Sequence, residues 1–178
     1  MIRRALPVLT LAAVVTAGCS HPISKALREQ AEAAPPFPAI RANPQAFQGT
    51  TVVWGGEIVQ TVNRDDGTDI IVLETPLNAL GEPSDARESR GRFILRTPDF
   101  LDPAVYKESR EVTAAGDVVG AERKPLGQTQ YTYPVVRIRE LHLWEPDRYY
   151  DEPHYRIRVI GGWGHWYHPY WHDPWYCD

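Results

Sequence analysis

Short runs of alternating hydrophobic and polar residues, separated by Gly and Pro, predict a mostly β protein. Gly and Pro together account for 29 of the 178 residues, and β-branched and aromatic residues fill the intervals between them. Five runs in the middle of the chain have the length of single strands. They cover residues 51–62, 68–75, 91–97, 111–119 and 131–144, and residues 155–160 could add a sixth strand at an edge.

Two of these runs carry signs of bending. Gly55 and Gly56 interrupt the first run, and paired glycines in a strand are typical of a bulge, a sharp bend or a close backbone approach. In the last run the apolar positions change face near Arg139 and Glu140, which predicts a second bulge or bend. Strands that bend in this way suit a small closed barrel.

The helical signals are short. Residues 24–34 contain good helix formers, residues 43–49 have a helix cap and a terminal glycine, and residues 104–107 follow an Asp-Pro helix start. Pro35, Pro36 and Pro38 are expected to stop any helix before the barrel. We therefore predict that residues 19–42 are a semi-rigid spacer.

Five strands and a short helix between the third and fourth predict an OB-like β-barrel of five to six strands, with one or two short helices. This is an analogy of fold and implies no function.

The N-terminus has a different pattern. Arg3 and Arg4 precede an apolar run that ends in small residues, which describes a secretory signal, and the run is too short to span a bilayer. Cys19 directly follows Ala17 and Gly18, so the segment resembles a bacterial lipobox, although Thr16 stands where Leu is usual. The resemblance implies that Cys19 carries diacylglycerol and an N-acyl chain, and Ser20 favours sorting to the outer membrane. The alternative is an ordinary signal peptide with a chance cysteine.

Charge and motifs exclude several classes of protein. Without its two signal arginines the mature chain has 17 basic and 23 acidic residues, so nucleic acid is not an expected partner. The sequence has no G-x-S-x-G, H-E-x-x-H, C-x-x-C or phosphate-binding loop, and we predict no enzyme.

Asp65, Asp66 and Asp69 are expected to form a solvated turn rather than a calcium site. Cys177 would have no intramolecular partner if Cys19 is lipidated.

The last sixteen residues contain seven aromatic residues and three histidines but no aliphatic residue, and cannot form a core of their own. Two interpretations involve a ligand. Zn²⁺, Ni²⁺ or Cu²⁺ could bind the ligand set His165, His168, His172 and Asp173, with Cys177 nearby. The aromatic side chains could instead lie at lipid headgroup level or stack on sugars of peptidoglycan: Trp163, Trp166, Tyr167, Tyr170, Trp171, Trp175 and Tyr176. The remaining alternative is a loosely packed tail without a ligand.

Two tracts in the middle of the chain are specific enough to indicate a family. V-V-W-G-G-E-I lies at residues 52–58, and Y-T-Y-P-V-V-R-I-R-E-L-H-L-W lies at residues 131–144. Together with the lipobox they resemble the Slp family of outer-membrane lipoproteins. The resemblance implies a location at the outer membrane and a link to starvation. It implies no catalytic residue and no cofactor.

The expected organisation is a signal peptide (1–18), a lipidated tether (19–42), an Slp-like barrel (43–146) and a Tyr/Trp/His-rich tail (147–178). We expect a non-enzymatic lipoprotein, anchored through Cys19 and facing the periplasm, that contributes to envelope integrity under starvation or acid stress. Its partners would be the bilayer, peptidoglycan or other envelope proteins. The alternative is a periplasmic module that binds a metal or small ligand through the histidine cluster.

Overall fold

The computed structural model describes residues 21 to 145, all within one structural unit that ends at Pro146. This part of the chain forms five strands, two short α-helices and two 3₁₀ helices. The helices are α1 (Lys25–Ala31), α2 (Phe37–Ala42) and the 3₁₀ helices Pro44–Phe47 and Ala86–Glu88. The strands are β1 (Thr51–Arg64), β2 (Gly67–Thr75), β3 (Gly91–Thr97), β4 (Glu111–Leu126) and β5 (Thr129–Leu143).

The strands form a closed barrel in the order β1-β2-β3-β5-β4. Neighbouring strands are antiparallel except β3 and β5, which run parallel and pair Leu95 with Val136. The antiparallel β1–β4 pairing, with Val52 opposite Gly116, closes the sheet. The prediction of a mostly β protein of five to six strands with one or two short helices is therefore confirmed for five strands and two α-helices, and the possible sixth strand at residues 155–160 lies outside the described residues.

The barrel interior is apolar because each strand contributes alternate residues to it. Val52, Trp54 and Ile58 of β1 are buried together with Ile70 and Val72 of β2. Strand β4 contributes Val112, Ala114 and Val118 to the same core. The interior thus follows the period of two that the sequence shows.

Both predicted bends occur. Gly56 has φ +148°, and a Cβ added there would lie 1.9 Å from the carbonyl oxygen of Leu73, so only glycine allows this approach of β1 to β2. On β5, pairing with β4 passes from Ile138 directly to Glu140. Arg139 is the extra residue of a bulge at the predicted position.

Strand β4 is longer than expected. The predicted strand covered residues 111–119, whereas β4 continues to Leu126 and pairs with β5 from Val112 onward. Gly120 has φ +143°, and pairing shifts between Val118 and Gly120. The glycine therefore bends the strand without ending it.

The short helix predicted at residues 104–107 is absent from the described fold, and turns take its place. The Asp102 carboxylate accepts a hydrogen bond from the Ala104 amide (2.8 Å), as expected for a cap. The Val105 and Tyr106 amides both donate to the Asp102 carbonyl, which makes a single turn. The helix start is present, but the chain does not continue it.

The structure differs most from the sequence in the segment that we predicted to be a spacer. Ile23, Leu27, Phe37 and Ile40 are at most 4 % exposed, and the last two belong to the main core. Helix α2 begins at Phe37 because Pro38 lies in its first turn, where a missing amide hydrogen costs nothing. From residue 23 onward the segment is a packed part of the fold.

Candidate functional site

A cavity of about 580 Å³ lies between the N-terminal segment and the barrel, and residues of both line it. Helix α1, the turn before α2 and the start of β1 form its walls, and Leu77 and Arg90 contribute from the connection between β2 and β3. Because Arg90 immediately precedes β3, the cavity lies at the end of the barrel where β3 begins. The segment that was predicted to be a spacer therefore builds most of the candidate site.

The floor of the cavity is apolar and rigid. The rings of Phe37 and Trp54 meet edge to face with centroids 4.9 Å apart, and Phe93 packs against Trp54 at 5.2 Å. Such aromatic pairs stabilise the core beyond simple burial. Ala34, Pro35 and Pro36 complete this side of the cavity. A hydrophobic body of a small ligand could rest on this surface.

The rim of the cavity is charged. It carries the cationic side chains of Lys25, Arg28 and Arg90 and the carboxylates of Glu29 and Glu32. Lys25 and Glu29 form an exposed ion pair at 3.5 Å. Arg90 donates to the buried carboxylate of Glu74, with Nε to Oε2 at 3.1 Å. An apolar floor and an ionic rim are suited to an amphiphilic molecule.

His21 lines the cavity at the point where the described chain begins. Its Nδ1 accepts a hydrogen bond from the Ile23 amide at 3.1 Å. Burial lowers the pKa of this imidazole, and the positive charge of Arg28 lowers it further. The neutral form of the His21 imidazole is therefore favoured at its position beside the cavity.

Helix α1 is fixed to the barrel by a charge at its N-terminus. The Ser24 amide donates to Oε2 of Glu140 on β5 at 2.7 Å, and this hydrogen bond lowers the pKa of the Glu140 carboxyl. A carboxylate at this position also interacts favourably with the helix dipole. The helix that covers the cavity is thus held in one position.

A second polar cluster lies on the outer surface of β2 and β3. Asp69 is 2 % exposed, and its carboxylate accepts from Arg96 through Nε at 2.7 Å and Nη2 at 2.9 Å. Arg64 also pairs with Asp69, and Lys124 lies 3.7 Å from it. We call Asp69, Arg64, Arg96, Glu122 and Lys124 the outer ion cluster. The expectation that Asp69 belongs to a solvated turn is wrong, because strand pairing places it under three cations.

Glu122 completes the outer ion cluster. Burial pushes its pKa upward, but hydrogen bonds from Arg96 and Lys124 outweigh burial and lower the pKa to about 2. Sequence reasoning missed this cluster because its members come from four strands. Alternation of Arg92 and Arg96 with apolar residues on β3 was the available signal.

The predicted site residues lie outside the described residues. Cys19 precedes residue 21, and the proposed metal ligands and membrane-contact aromatics all follow residue 145. Between residues 21 and 145, no group of three or more His, Cys, Asp or Glu side chains is placed to hold a metal ion. Lipidation of Cys19, metal binding by the tail and membrane contact by its aromatics stay predictions.

Within the same range of residues, no helix is both long and apolar enough to span a bilayer.

The chain matches the model of the outer membrane lipoprotein Slp family over residues 16–176, and it belongs to this family. The match begins three residues before Cys19 and includes both the cavity and the outer ion cluster.

Three relatives support the assignment. A Haemophilus influenzae protein named only as uncharacterized is 34 % identical over 68 % of this chain and 68 % of its own length. The Escherichia coli outer membrane protein Slp is 24 % identical over 96 % of this chain and 90 % of its own length. An E. coli lipoprotein named YeaY, also uncharacterized, is 28 % identical over 59 % of this chain and 54 % of its own length. The chain is thus an outer membrane lipoprotein of the Slp type.

Proposed function

We propose that this chain is held at the outer membrane by lipid on Cys19, faces the periplasm and stabilises the envelope under starvation or acid stress without catalysing a reaction. The observation that carries the proposal is the family match from residue 16 to residue 176, which contains Cys19 directly after two small residues. Two or three acyl chains would give durable anchoring where one does not.

Mass spectrometry of the mature N-terminus, with membrane fractionation, tests the anchor. A triacylated Cys19 in the outer-membrane fraction is expected for the natural chain, and Cys19→Ala should be soluble or retain its signal. The matched control Cys177→Ser should fractionate like the natural chain. An unmodified Cys19 in a soluble chain would disprove the anchor.

The proposed role in the envelope needs a separate test. In cells that lack this protein, the natural chain should restore survival in acid and resistance to detergent, whereas Cys19→Ala should not. Equal rescue by both would show that any protective role does not need the anchor.

We also infer that the barrel is of the OB type, which the strand order and the parallel β3–β5 pair support. OB folds commonly bind oligonucleotides or oligosaccharides on the face of β2 and β3. In this chain, Ile94, Tyr133 and Val135 are buried together on that face, beside the outer ion cluster. β5 lies beside β3 in the same sheet, so these three side chains share one outer surface, on which the chain's own residues already pack together.

The absence of catalysis is supported by the placement of the buried carboxylates. Asp69 is engaged by Arg96 and Arg64, and Glu74 is engaged by Arg90. The oxygens of both carboxylates are thus engaged in contacts within the fold, as is usual for buried polar groups.

A second candidate function is binding of a small amphiphile in the cavity, which its volume, apolar floor and ionic rim favour. Native mass spectrometry of the chain, released gently from membranes, should then detect a bound molecule. Ala34→Trp, which places a large side chain in the cavity, should abolish it, and the exposed substitution Ala104→Trp should not.

A further inference from the structure

The turn at residues 78–82 displays a leucine to solvent on a rigid support. The Gly81 amide donates to the Asn78 carbonyl at 3.0 Å, and the Asn78 side-chain oxygen accepts from the Leu80 and Glu82 amides at 2.8 and 3.1 Å. Leu77 and Pro83 form a bridge below the turn. Leu80, at the tip, is 48 % exposed. Leu80 is thus a single exposed apolar side chain on an ordered loop, and its significance depends on what lies next to the turn.

The start of the described chain packs against this turn. The imidazole of His21 lies over Gly81, and a Cβ added to Gly81 would be 2.7 Å from Nε2 of His21. Only Ser20 separates His21 from Cys19 in the sequence. Two residues of extended chain reach at most about 7 Å, so a lipid on Cys19 would begin beside the turn.

The last described residues approach the same turn. Oγ1 of Thr113 donates to the Gly81 carbonyl at 2.6 Å, and Nε1 of Trp144 donates to this hydroxyl at 3.0 Å. The chain therefore enters and leaves the described fold near Gly81. The lipid proposed on Cys19 would therefore lie at this end of the barrel.

We propose that Leu80 and its turn contact the lipid bilayer, so that the barrel rests on the membrane with its cavity end. This inference rests on the proposed anchor at Cys19. It gives the exposed leucine a partner, because the apolar side chain of Leu80 would enter the boundary between headgroups and acyl chains.

The opposite end of the barrel offers the competing surface. Thr97 ends β3 about 20 Å from Gly91, since a strand rises about 3.3 Å per residue. The loop that follows exposes Phe100, at 73 %, and Val105, at 48 %. If apolar exposure alone decided the orientation, this loop would meet the bilayer, and it is therefore the control.

The test compares two exposed alanines, one beside each apolar tip. Ala79→Cys and Ala104→Cys are made separately with Cys177→Ser, and the lipidated chains are labelled with a fluorophore. They are then placed in vesicles of phosphatidylethanolamine and phosphatidylglycerol with nitroxide-labelled lipid. We expect roughly a twofold loss of emission at position 79 and little at position 104, since an apolar group at the interface lies about 5–10 Å deep, close to the nitroxide of the labelled lipid.

Two further variants test whether Leu80 and the short connection to Cys19 cause the quenching at position 79. Leu80→Asp should reduce quenching at position 79 without lowering the thermal midpoint, because Leu80 is exposed. Ten Gly/Ser residues inserted between Ser20 and His21 should also reduce it, because such a linker spans about 17–19 Å.

Equal quenching at both positions, stronger quenching at position 104, or none at either would overturn the orientation, as would no effect of Leu80→Asp. Mass spectrometry of the same samples separates this failure from failure of the anchor. A triacylated Cys19 without quenching at position 79 refutes only the orientation, whereas an unmodified Cys19 refutes both proposals.

Discussion

The barrel interior and Asp69 on the outer surface over β2 and β3 are both buried, but opposite chemistry stabilises them. The interior is closed by Phe37, Trp54 and Phe93, whose contacts are apolar. The outer surface is centred on Asp69, which is as buried as these rings but accepts hydrogen bonds from Arg96. The two regions lie on opposite sides of the same strands.

The comparison shows that burial alone does not predict how a substitution acts. Apolar burial is roughly proportional to area, so the interior loses stability in proportion to the atoms removed. A buried ion cluster depends on each partner, because removal of one charge leaves the others uncompensated. The following predictions separate these two behaviours, from the largest expected effect to the smallest.

Phe37→Ala should cause the largest loss, about 4 kcal/mol of the free energy of unfolding, because it leaves a cavity beneath Trp54. Chemical denaturation measures this loss. Phe100→Ala, which removes a ring that is 73 % exposed, is the matched control and should change little. Similar losses for both variants would mean that α2 does not close the core.

Asp69→Ala should cost about 2 kcal/mol, since three cations lose their buried partner. The loss is smaller than for a fully buried pair because Arg64, Arg96 and Lys124 are each partly exposed and can be resolvated. Denaturation of Asp66→Ala, which removes an exposed carboxylate of the same hairpin, should show a change within about 0.5 kcal/mol. An equal effect of the two would argue against the outer ion cluster.

Thr75→Val should stabilise the protein by about 1 kcal/mol. The Oγ1 of Thr75 is buried and has no hydrogen-bond partner among the described residues, so an isosteric methyl group removes a desolvation cost. Thr113→Val should have the opposite sign, because it breaks hydrogen bonds to Gly81 and Trp144. Thermal melts of the two variants check both signs.

Acid should weaken the outer surface and leave the interior unchanged. The pKa of Glu122 falls from 4.5 to about 2 on folding, so its contribution is complete above pH 4.5 and is lost as the pH falls through about 2. Glu122→Gln should flatten this part of the stability profile by about 0.5 kcal/mol, since the group is partly exposed. Thermal melts of the natural chain and of Glu122→Gln from pH 6 to about pH 2 measure this change in stability. The exposed Glu108→Gln is the control, and a parallel profile for the two would contradict the prediction.

Much of the fold follows from local pattern. The alternation in β3 gives its bounds, Gly56 marks a close approach, and the change of face near Arg139 marks a bulge. These features depend on residues that are adjacent in sequence or on conformations that only glycine adopts, and a sequence displays both directly.

The candidate cavity and the outer ion cluster could not be predicted in the same way. Prolines 35, 36 and 38 indicated a spacer, but the burial of Phe37 and Ile40 outweighs the local preference for extended chain. The spacings of Ile23 with Leu27 and of Phe37 with Ile40 were the available signals. Asp69 and Glu122 share cationic partners because strand pairing brings distant segments together, and their separation along the chain hides this arrangement.

The packing of Ile23 against the barrel would limit how far the domain lies from a lipid on Cys19. A free chain over residues 19–42 would let the domain move by roughly 24–29 Å, whereas the buried Ile23 comes four residues after Cys19. With lipid on Cys19, any partner would meet the barrel in two dimensions, along the bilayer surface. Encounter would then depend on molecules per area of membrane rather than per volume of periplasm, which favours partners that are themselves membrane-bound.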